Sequence, residues 1–549
     1  MQNRWKKYSW ILVPLLFLLY SAPSALDYVF HFPDEKYYTD AVLQMMDKED
    51  YFTPYKADGT HRFLKPIVTY WTLIGSYKIL GVSKFSSRLL FWLAGALLVA
   101  VVYFMAKSLL KERKIALGAA FITAANPLVL MSSSRSIPDI LLVLFLTISA
   151  WGFLEIMLSE EPPSKYYWMA YLGAAIAFET KGLPAAAFAG ISFLYLLFNP
   201  WQRKTLKQIL HPGAVFLAVI VALSWFVFMY IEHGQEFLGS FFADQVGHRV
   251  SSKIVQVFTN GFLGIVNLIA FTLPWIIIAF SRPKNLKTFI LNIDARTKAV
   301  LGMIAVWVAM VLIMSAAVFK FYDRYLLPVI PLVSLFFAIV ITRTETRGTK
   351  TALRIFQGLT FFILSVNILY IVFILPDKIL ILGTTAGILL IGLLAFGKFK
   401  TFTREIILAN FILLLYFSIH ILLYPLLMPN PGEQLVKNIK AGQKSGNEQI
   451  YVYGNIRAAS NIRIHSHHEM DVVSMDTVYT LPANPVHLLV FSPKEKPFLN
   501  LSNYEIRPGS EEWSRLPIEK FPGFIQPVIR NIKESGTVYF VAIPKSNKK

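Results

Sequence analysis

Two adjacent carboxylates and a lysine in the first long polar segment have the residue types that group transfer requires. Asp34 and Glu35 follow Pro33 directly after an apolar stretch, and Lys65 lies further along the same segment. A carboxylate can take a proton from an attacking hydroxyl, and a lysine can hold the charge of a phosphate. We therefore predict Asp34 and Glu35 as catalytic residues and Lys65 as a phosphate ligand. The alternative for both carboxylates is a helix cap.

Further charged residues lie where polar segments meet apolar runs. An ionised side chain that sinks into hydrocarbon is costly, so each should face a polar cavity or an opposite charge. We predict that Asp139 is a catalytic-site carboxylate that helps to position an acceptor or a cation, with a helix cap as the alternative. The cationic residues are predicted to bind phosphate, with anchoring to lipid headgroups as the alternative. They are Lys181, Arg249, Lys320 and Arg324.

Three histidines and a glutamate form a cluster near the C-terminal end: His465, His467, His468 and Glu469. This composition suggests a metal site, but a strand or turn would place His467 and His468 on opposite faces. We expect a solvated loop instead. The sequence defines no metal ligand set. A divalent cation is left open, and no other cofactor is indicated.

Composition excludes an ordinary water-soluble protein. The 549 residues are 55% hydrophobic and only 16% charged, with a mean hydropathy of +0.52. The net charge of +20 lies largely in loops between apolar runs, where it sets topology and meets anionic lipid rather than nucleic acid. Because the chain has no cysteine, it has neither a disulfide framework nor a thiolate metal site.

The fold class predicted is an all-α polytopic membrane protein. Apolar runs long enough to cross the bilayer recur about thirteen times. The first follows a basic N-terminus and resembles a signal peptide ending near Ala25, but we predict an uncleaved span. The predicted spans are 8–26, 85–106, 115–132, 140–158, 166–180, 183–199, 213–232, 259–280, 299–318, 326–342, 355–375, 378–396 and 406–427.

Loop charge orients these spans in the cytoplasmic (inner) membrane. With the N-terminus inside, the strongly basic loops all fall on the cytoplasmic side, as the positive-inside rule requires. The opposite, exterior face then receives the segment 27–84, the boundary charges and the C-terminal tail.

Two regions of this exterior face have predicted structure. Residues 34–48 carry apolar side chains at helical spacing and should form an amphipathic helix on the membrane interface. Residues 429–549 are predicted as a small exterior α/β domain after a membrane domain, 1–428. Its helix is expected near 431–441, and its strands within 449–453, 486–491 and 537–543.

Five short motifs follow one another along the chain. They are Pro33-Asp34-Glu35 with Tyr37 or Tyr38, Leu64-Lys65-Pro66 with Tyr70-Trp71, Pro138-Asp139, Lys181-Gly182 and Arg324-Tyr325-Leu326-Leu327-Pro328. In this order the motifs resemble the GT-C superfamily of polyprenyl-phosphate-sugar-dependent glycosyltransferases, and the likeness is greatest to the bacterial lipid A aminoarabinose transferases and the related protein O-mannosyltransferases.

The resemblance implies a GT-C fold and an inverting hexosyl- or pentosyl-type transfer from a polyprenyl (undecaprenyl) phosphate sugar to a lipid A, glycan or protein acceptor. It implies that Asp34 is the first-loop aspartate acting as base or acceptor-orienting group, and that Lys65 binds phosphate with help from Arg249. Asp139, Lys181 and Tyr325 would line the same cavity. This chain departs from the aminoarabinose branch at Leu64 and at Asp244-Gln245, which concern a metal feature of that branch.

Two other classes remain as alternatives. A transporter or lipid flippase would also have many spans, but transporters usually show two related halves with charges near the bilayer midplane. The chain has no evident repeat, and its notable charges sit at one face. An envelope scaffold would need neither Asp34 nor Lys65.

Overall fold

The structure is a computed structural model in which helices dominate and a small sheet follows near the C-terminus. It describes residues 10–26, 33–243, 254–281, 283–344, 347–374, 383, 403–424, 431–443, 448–454, 456–476, 478–482, 486–510, 518–528, 530 and 538–545.

The helices up to the middle of the chain pack into one apolar core. They are α1 (Leu12–Leu26), α2 (Pro33–Asp47), α3 (Val68–Leu80), α4 (Lys84–Leu110), α5 (Arg113–Ala124), α6 (Pro127–Ser133), α7 (Asp139–Leu158), α8 (Ser164–Lys181), α9 (Leu183–Phe198), α10 (Leu206–Ile209) and α11 (Pro212–Phe242).

The second half of the chain continues the helical bundle and then enters the C-terminal region, which contains shorter helices and the strands. The remaining helices are α12 (Ile254–Phe271), α13 (Trp275–Ala279), α14 (Pro283–Asn292), α15 (Ala295–Ala317), a 3-10 turn (Asp323–Val329), α16 (Ile330–Arg343), α17 (Arg347–Ile374), α18 (Arg404–Ser418), a π turn (Ile419–Leu423), α19 (Pro431–Gly442) and α20 (Ile456–His465).

The polytopic fold class is confirmed. Within the described ranges, eight helices are long and apolar enough to cross a membrane, or nine if the bent pair α5 and α6 is one span. The helices α1 and α9 are apolar but shorter. Apart from residue 383, the predicted span 378–396 lies outside the described residues. Every other predicted span overlaps one or more helices.

The predicted span 115–132 is not one straight helix. It is broken between α5 and α6, whose axes differ by 61°. Asn126 accepts a hydrogen bond from the Leu128 N–H, and Pro127 stands at the first position of α6. An asparagine cap followed by proline starts a new helix, so the chain turns here.

The C-terminal region contains a five-stranded sheet, and three of its strands fall in or near the segments predicted for the α/β domain. The strand order is β2-β1-β3-β5-β4, with β1 parallel to β2 and β3, and β5 antiparallel to β3 and β4. The strands are β1 (Ile450–Tyr453), β2 (Val472–Asp476), β3 (Leu488–Phe491), β4 (Tyr504–Pro508) and β5 (Phe540–Pro544).

The amphipathic helix α2 was predicted to lie on the membrane interface, and this placement is wrong. Its apolar residues Tyr38, Ala41, Val42 and Met45 are all at most 5% exposed and belong to the main core. The helix lies between α3 and α20 of the C-terminal region. Packing against protein on both sides, rather than lipid, buries its apolar face.

The histidine cluster lies at the end of α20 and in the turn after it, where His467 and Glu469 are exposed as the expected solvated loop requires. The turn also docks the C-terminal α/β region on the bundle, which the sequence did not predict. Nδ1 of His467 donates to the carbonyl oxygen of Val82 at 2.8 Å, and Nε2 of His468 donates to Asp47 Oδ1 at 2.8 Å. Burial, together with the nearby Lys84, lowers the pKa of His465 to about 3, so its ring is neutral.

Glu35 is a structural anchor of α2. Its side chain is fully buried and pairs with the equally buried Arg88 of α4, at 2.8 Å from Nε and 2.7 Å from Nη2. The N–H of Ser136 also donates to Glu35 Oε1 at 3.0 Å. These contacts tie the first turn of α2 to α4 and to the chain just before α7.

We predict that Glu35→Gln destabilises the protein. The change leaves a buried guanidinium without its counter-charge, a loss of about 3–5 kcal/mol for a broken buried pair. Asp294→Asn, at a side chain before α15 that is 59% exposed, is the control and should melt near the wild-type temperature. Thermal unfolding of the purified proteins in detergent measures both. Equal melting temperatures for Glu35→Gln and wild type would contradict this anchoring role.

Candidate active site

One cavity of about 730 Å³ opens where the polar segment after α2, the ends of several helices and the C-terminal sheet meet. Its described lining includes six cationic and four acidic side chains, so positive charge is in excess. The charged residues are Asp34, Asp40, Lys56, Asp58, Arg62, Lys65, Asp139, Lys181, Lys320 and Arg324, and aromatic residues include Tyr37, Tyr38, Tyr322 and Tyr325.

Asp34 faces this cavity from the first turn of α2. Its Oδ2 forms an ion pair with Nη1 of Arg324, which lies in the 3-10 turn before α16. The Arg324 guanidinium also lies 4.9 Å from the ring centroid of Tyr322. Asp34 keeps about one third of its side chain exposed, so a substrate can reach it.

A second pair joins the ends of two helices. Asp139 is the first residue of α7, and its Oδ1 forms an ion pair with Nζ of Lys181, the last residue of α8. Gly182 follows with φ of +79°, a conformation that side chains rarely adopt, so glycine ends α8 and turns the chain into α9. Lys181 Nζ lies 5.7 Å from the ring centroid of Tyr325. Two helix ends and the 3-10 turn therefore converge on this pair.

Lys65 also lines this cavity. It is only 7% exposed, and its Nζ donates to the Leu64 carbonyl oxygen at 2.9 Å. A buried ammonium has little water to solvate its charge. An anionic ligand in the cavity would stabilise that charge with a charge-assisted hydrogen bond.

The loop that carries Lys65 is fixed at its start by Asp50. This carboxylate accepts hydrogen bonds from the N–H groups of Phe52 and Thr53 at 3.0 and 3.1 Å, and from the Tyr55 hydroxyl at 2.8 Å. Burial raises the pKa of Asp50, but these donors outweigh it and hold the pKa below its ordinary value. Asp50 therefore stays ionised and keeps the loop folded.

Arg62 is a cavity residue that the sequence analysis did not single out. It is 8% exposed, its Nε donates to the Tyr70 hydroxyl at 3.2 Å, and its guanidinium lies 5.1 Å from the Tyr37 ring centroid and 5.5 Å from that of Tyr38. Burial lowers the pKa of Arg62, but the nearby tyrosine hydroxyls raise it further than burial lowers it. Its position three residues before Lys65, in the same polar segment, was the available signal.

The remaining predicted site residues fall into three groups. Lys320 and Tyr325 line the cavity with the residues above, whereas Glu35 does not. Arg249 and the Asp244-Gln245 pair lie outside the described residues. Among the residues that the structure describes, no group of three or more histidine, aspartate or glutamate side chains is arranged to hold a metal ion.

Sequence comparison finds relatives over part of the chain. Residues 64–227 match the family described as dolichyl-phosphate-mannose-protein mannosyltransferase. An uncharacterized protein of Aquifex aeolicus is 27% identical over 243 residues, covering 44% of this chain and 47% of that protein. The undecaprenyl phosphate-alpha-4-amino-4-deoxy-L-arabinose arabinosyl transferase of Pectobacterium atrosepticum is 29% identical over 245 residues, covering 42% and 43%. The chain thus spans less than half the length of either relative.

Structural comparison extends the likeness to nearly the whole chain. The crystal structure of ArnT from Cupriavidus metallidurans bound to undecaprenyl phosphate superposes with a TM-score of 0.70 at 15% identity, covering 98% of both chains. The apo structure of the same protein gives a TM-score of 0.67 at 14% identity, covering 97% of both. The fold predicted from the motifs is confirmed: the chain is a polytopic membrane protein with the fold of this ArnT structure.

Proposed function

We propose that the protein transfers a sugar from a polyprenyl phosphate donor to a hydroxyl group of an acceptor on the exterior face of the inner membrane. One observation carries this proposal. Asp34, Lys65, Asp139, Lys181 and Arg324 come from distant parts of the sequence, yet all line one cavity at the ends of the bundle helices. A carboxylate and several cations in one water-poor cavity suit a reaction that removes a proton and releases a phosphate.

The cations would hold the phosphate of the donor. Lys65, Lys181 and Arg324 can donate charge-assisted hydrogen bonds to its oxygens, which stabilise the negative charge that grows as the phosphate leaves. A guanidinium has five N–H donors and an ammonium three. Arg324 and Lys181 can therefore keep their carboxylate partners while they bind phosphate.

Asp34 would act as the base. The acceptor hydroxyl transfers its proton to the Asp34 carboxylate while its oxygen forms a bond to the anomeric carbon. The bond from that carbon to the phosphate oxygen breaks, and its electron pair leaves with the polyprenyl phosphate. This single displacement inverts the anomeric configuration.

The other predicted residues take supporting roles in this proposal. Asp139 orients Lys181 rather than the acceptor, because the two form a direct ion pair. Lys320 and Tyr325 complete the cation-rich wall. Arg249 keeps the phosphate-binding role implied by the family motif. Glu35 is reassigned from catalysis to holding α2, since Arg88 and Ser136 occupy its oxygens.

The names of the similar proteins suggest the chemical class of donor and product. The relative from Pectobacterium is named for undecaprenyl phosphate and an arabinosyl group, and the superposed ArnT structure contains undecaprenyl phosphate. We therefore propose undecaprenyl phosphate as the lipid carrier, with a pentose or hexose as the sugar and lipid A, another envelope glycan or a protein as the acceptor. No comparison supports the alternative of a transporter or flippase.

We predict that Asp34→Asn abolishes one glycosylated species. Loss of a general base lowers the rate by about 10²–10⁴-fold. Mass spectrometry of lipid A, envelope glycans and exported proteins should show the same species missing from the deletion strain and the Asp34→Asn strain at equal membrane expression.

The control is Asp294→Asn, an exposed carboxylate before α15 that does not line the cavity, and it should keep the product. A full set of products in Asp34→Asn cells would refute the base role. It would return the transporter and scaffold alternatives to consideration.

A second prediction isolates donor binding. Lys65→Gln removes a charge-assisted hydrogen bond, so the Kd of the purified protein for undecaprenyl phosphate should rise at least about tenfold. Lys494→Gln, at an exposed lysine between β3 and β4, should leave the Kd at the wild-type value. Native mass spectrometry or thermophoresis measures the series. Equal affinities for Lys65→Gln and wild type would show that Lys65 does not hold the phosphate.

A further inference from the structure

One arginine connects two elements that both line the cavity. Arg463 lies in α20, and its Nη1 donates to Oδ1 of Asp40 in α2 at 2.9 Å. Its Nη2 donates to the carbonyl oxygen of Val472, the first residue of β2, at 2.7 Å. A single guanidinium therefore fixes the distance between α2 of the bundle and β2 of the exterior sheet.

The ion pair between Asp40 and Arg463 is buried, and both carboxylate oxygens of Asp40 have hydrogen-bond donors. The Asp40 and Arg463 side chains are 3% and 5% exposed. The other oxygen of Asp40 accepts a hydrogen bond from the Ser460 hydroxyl, also in α20, at 2.6 Å. Such a pair fixes the position of α20 relative to α2, because any shift between the two helices would leave a buried charge without its partner.

The strand held by Arg463 reaches the cavity. Ser474 lies two residues beyond Val472 on β2, is half-buried, and lines the cavity together with Asp34, Lys65 and Asp139. Successive side chains of a strand point to opposite faces, so Val472 and Ser474 share one face. Asp40 itself also contributes to the lining.

The position of Ser474 in the fold indicates which substrate it meets. Lys181 ends α8 and Arg324 lies in the 3-10 turn before α16, so both belong to the helical bundle, whose long apolar helices suit a polyprenyl tail. Ser474 belongs instead to the C-terminal sheet, so it forms a different part of the cavity wall. A polar wall outside the apolar helices suits the hydroxyl-bearing part of the acceptor.

We propose that the exterior sheet completes the acceptor end of the cavity. Ser474 contributes to its wall, Lys56 and Asp58 line the same cavity, and Arg463 is the positioning residue that holds β2 against α2. The occupant is the polar, hydroxyl-bearing part of the acceptor, which the serine hydroxyl and these two charged side chains can hydrogen-bond. This inference rests on the transferase function proposed above.

The absence of cysteine makes a direct test available, because an introduced cysteine is the sole thiol of the chain. Membranes containing Ser474→Cys are alkylated with a maleimide-polyethylene glycol, and formation of the product lost in Asp34→Asn is compared before and after. We expect at least about a tenfold loss after alkylation. The undecaprenyl phosphate Kd should change less than about twofold. The control is Ser502→Cys, an exposed serine before β4, whose alkylation should leave product formation unchanged.

A second variant tests the positioning role. Arg463→Gln should lower product formation at least about tenfold, while the surviving folded protein binds undecaprenyl phosphate with wild-type Kd. A purely structural role would reduce the amount of folded protein and leave its turnover per folded molecule unchanged. Turnover per folded molecule equal to wild type would therefore overturn the role of Arg463.

The outcomes separate this inference from the function on which it rests. If Asp34→Asn keeps every product, the transferase function fails. If Asp34→Asn loses the product but alkylated Ser474→Cys still forms it, the transferase function stands and the acceptor wall is wrong. Loss of undecaprenyl phosphate binding on alkylation would place Ser474 at the donor end and also overturn the proposal.

Discussion

Charges near hydrocarbon must be paired, and this constraint shapes the end of the bundle at which the cavity opens. Arg324 faces Asp34, and Lys181 faces Asp139, at positions where helices begin or end. In each pair the protein supplies the opposite charge that a cation near hydrocarbon requires. Lys65, Arg62, Lys56 and Lys320 outnumber the two other lining carboxylates, Asp40 and Asp58, so the lining has an excess of positive charge that favours an anion.

The helix α2 brings the parts of the molecule together. Glu35 fixes its first turn to α4 through Arg88, and Asp40 fixes its middle to α20 through Arg463. Asp34 lies beside the first of these anchors and is left to face the cavity. The position of the proposed base therefore depends on two buried ion pairs that do not themselves take part in the reaction.

Much of this arrangement could be predicted from the sequence. Long apolar runs specify the helices of the bundle, and boundary charges on one face specify that Asp34, Lys65, Asp139, Lys181, Lys320 and Arg324 come together. The different roles of the adjacent residues Asp34 and Glu35 were harder to predict. Successive helical residues point about 100° apart, so one of Asp34 and Glu35 must turn from the cavity, and only packing decides which.

Contacts between distant segments could not be predicted. Asp40 and Arg463 lie 423 positions apart, and neither stands in a motif that names its partner. The histidine cluster illustrates the same limit, since a local pattern describes His467 and His468 but not the bundle surface that they contact. Residues 115–132 were predicted as one span because hydropathy outweighed the Asn126-Pro127 start signal within them.

A cryo-electron microscopy structure of the full chain with undecaprenyl phosphate would locate the donor directly. We expect the phosphate in the cavity, within hydrogen-bond distance of Lys65 and of Lys181 or Arg324, with Asp34 facing the side where the sugar would be attached. A phosphate bound elsewhere, with these cations still facing only their carboxylates, would contradict the claim that this cavity is the site of transfer.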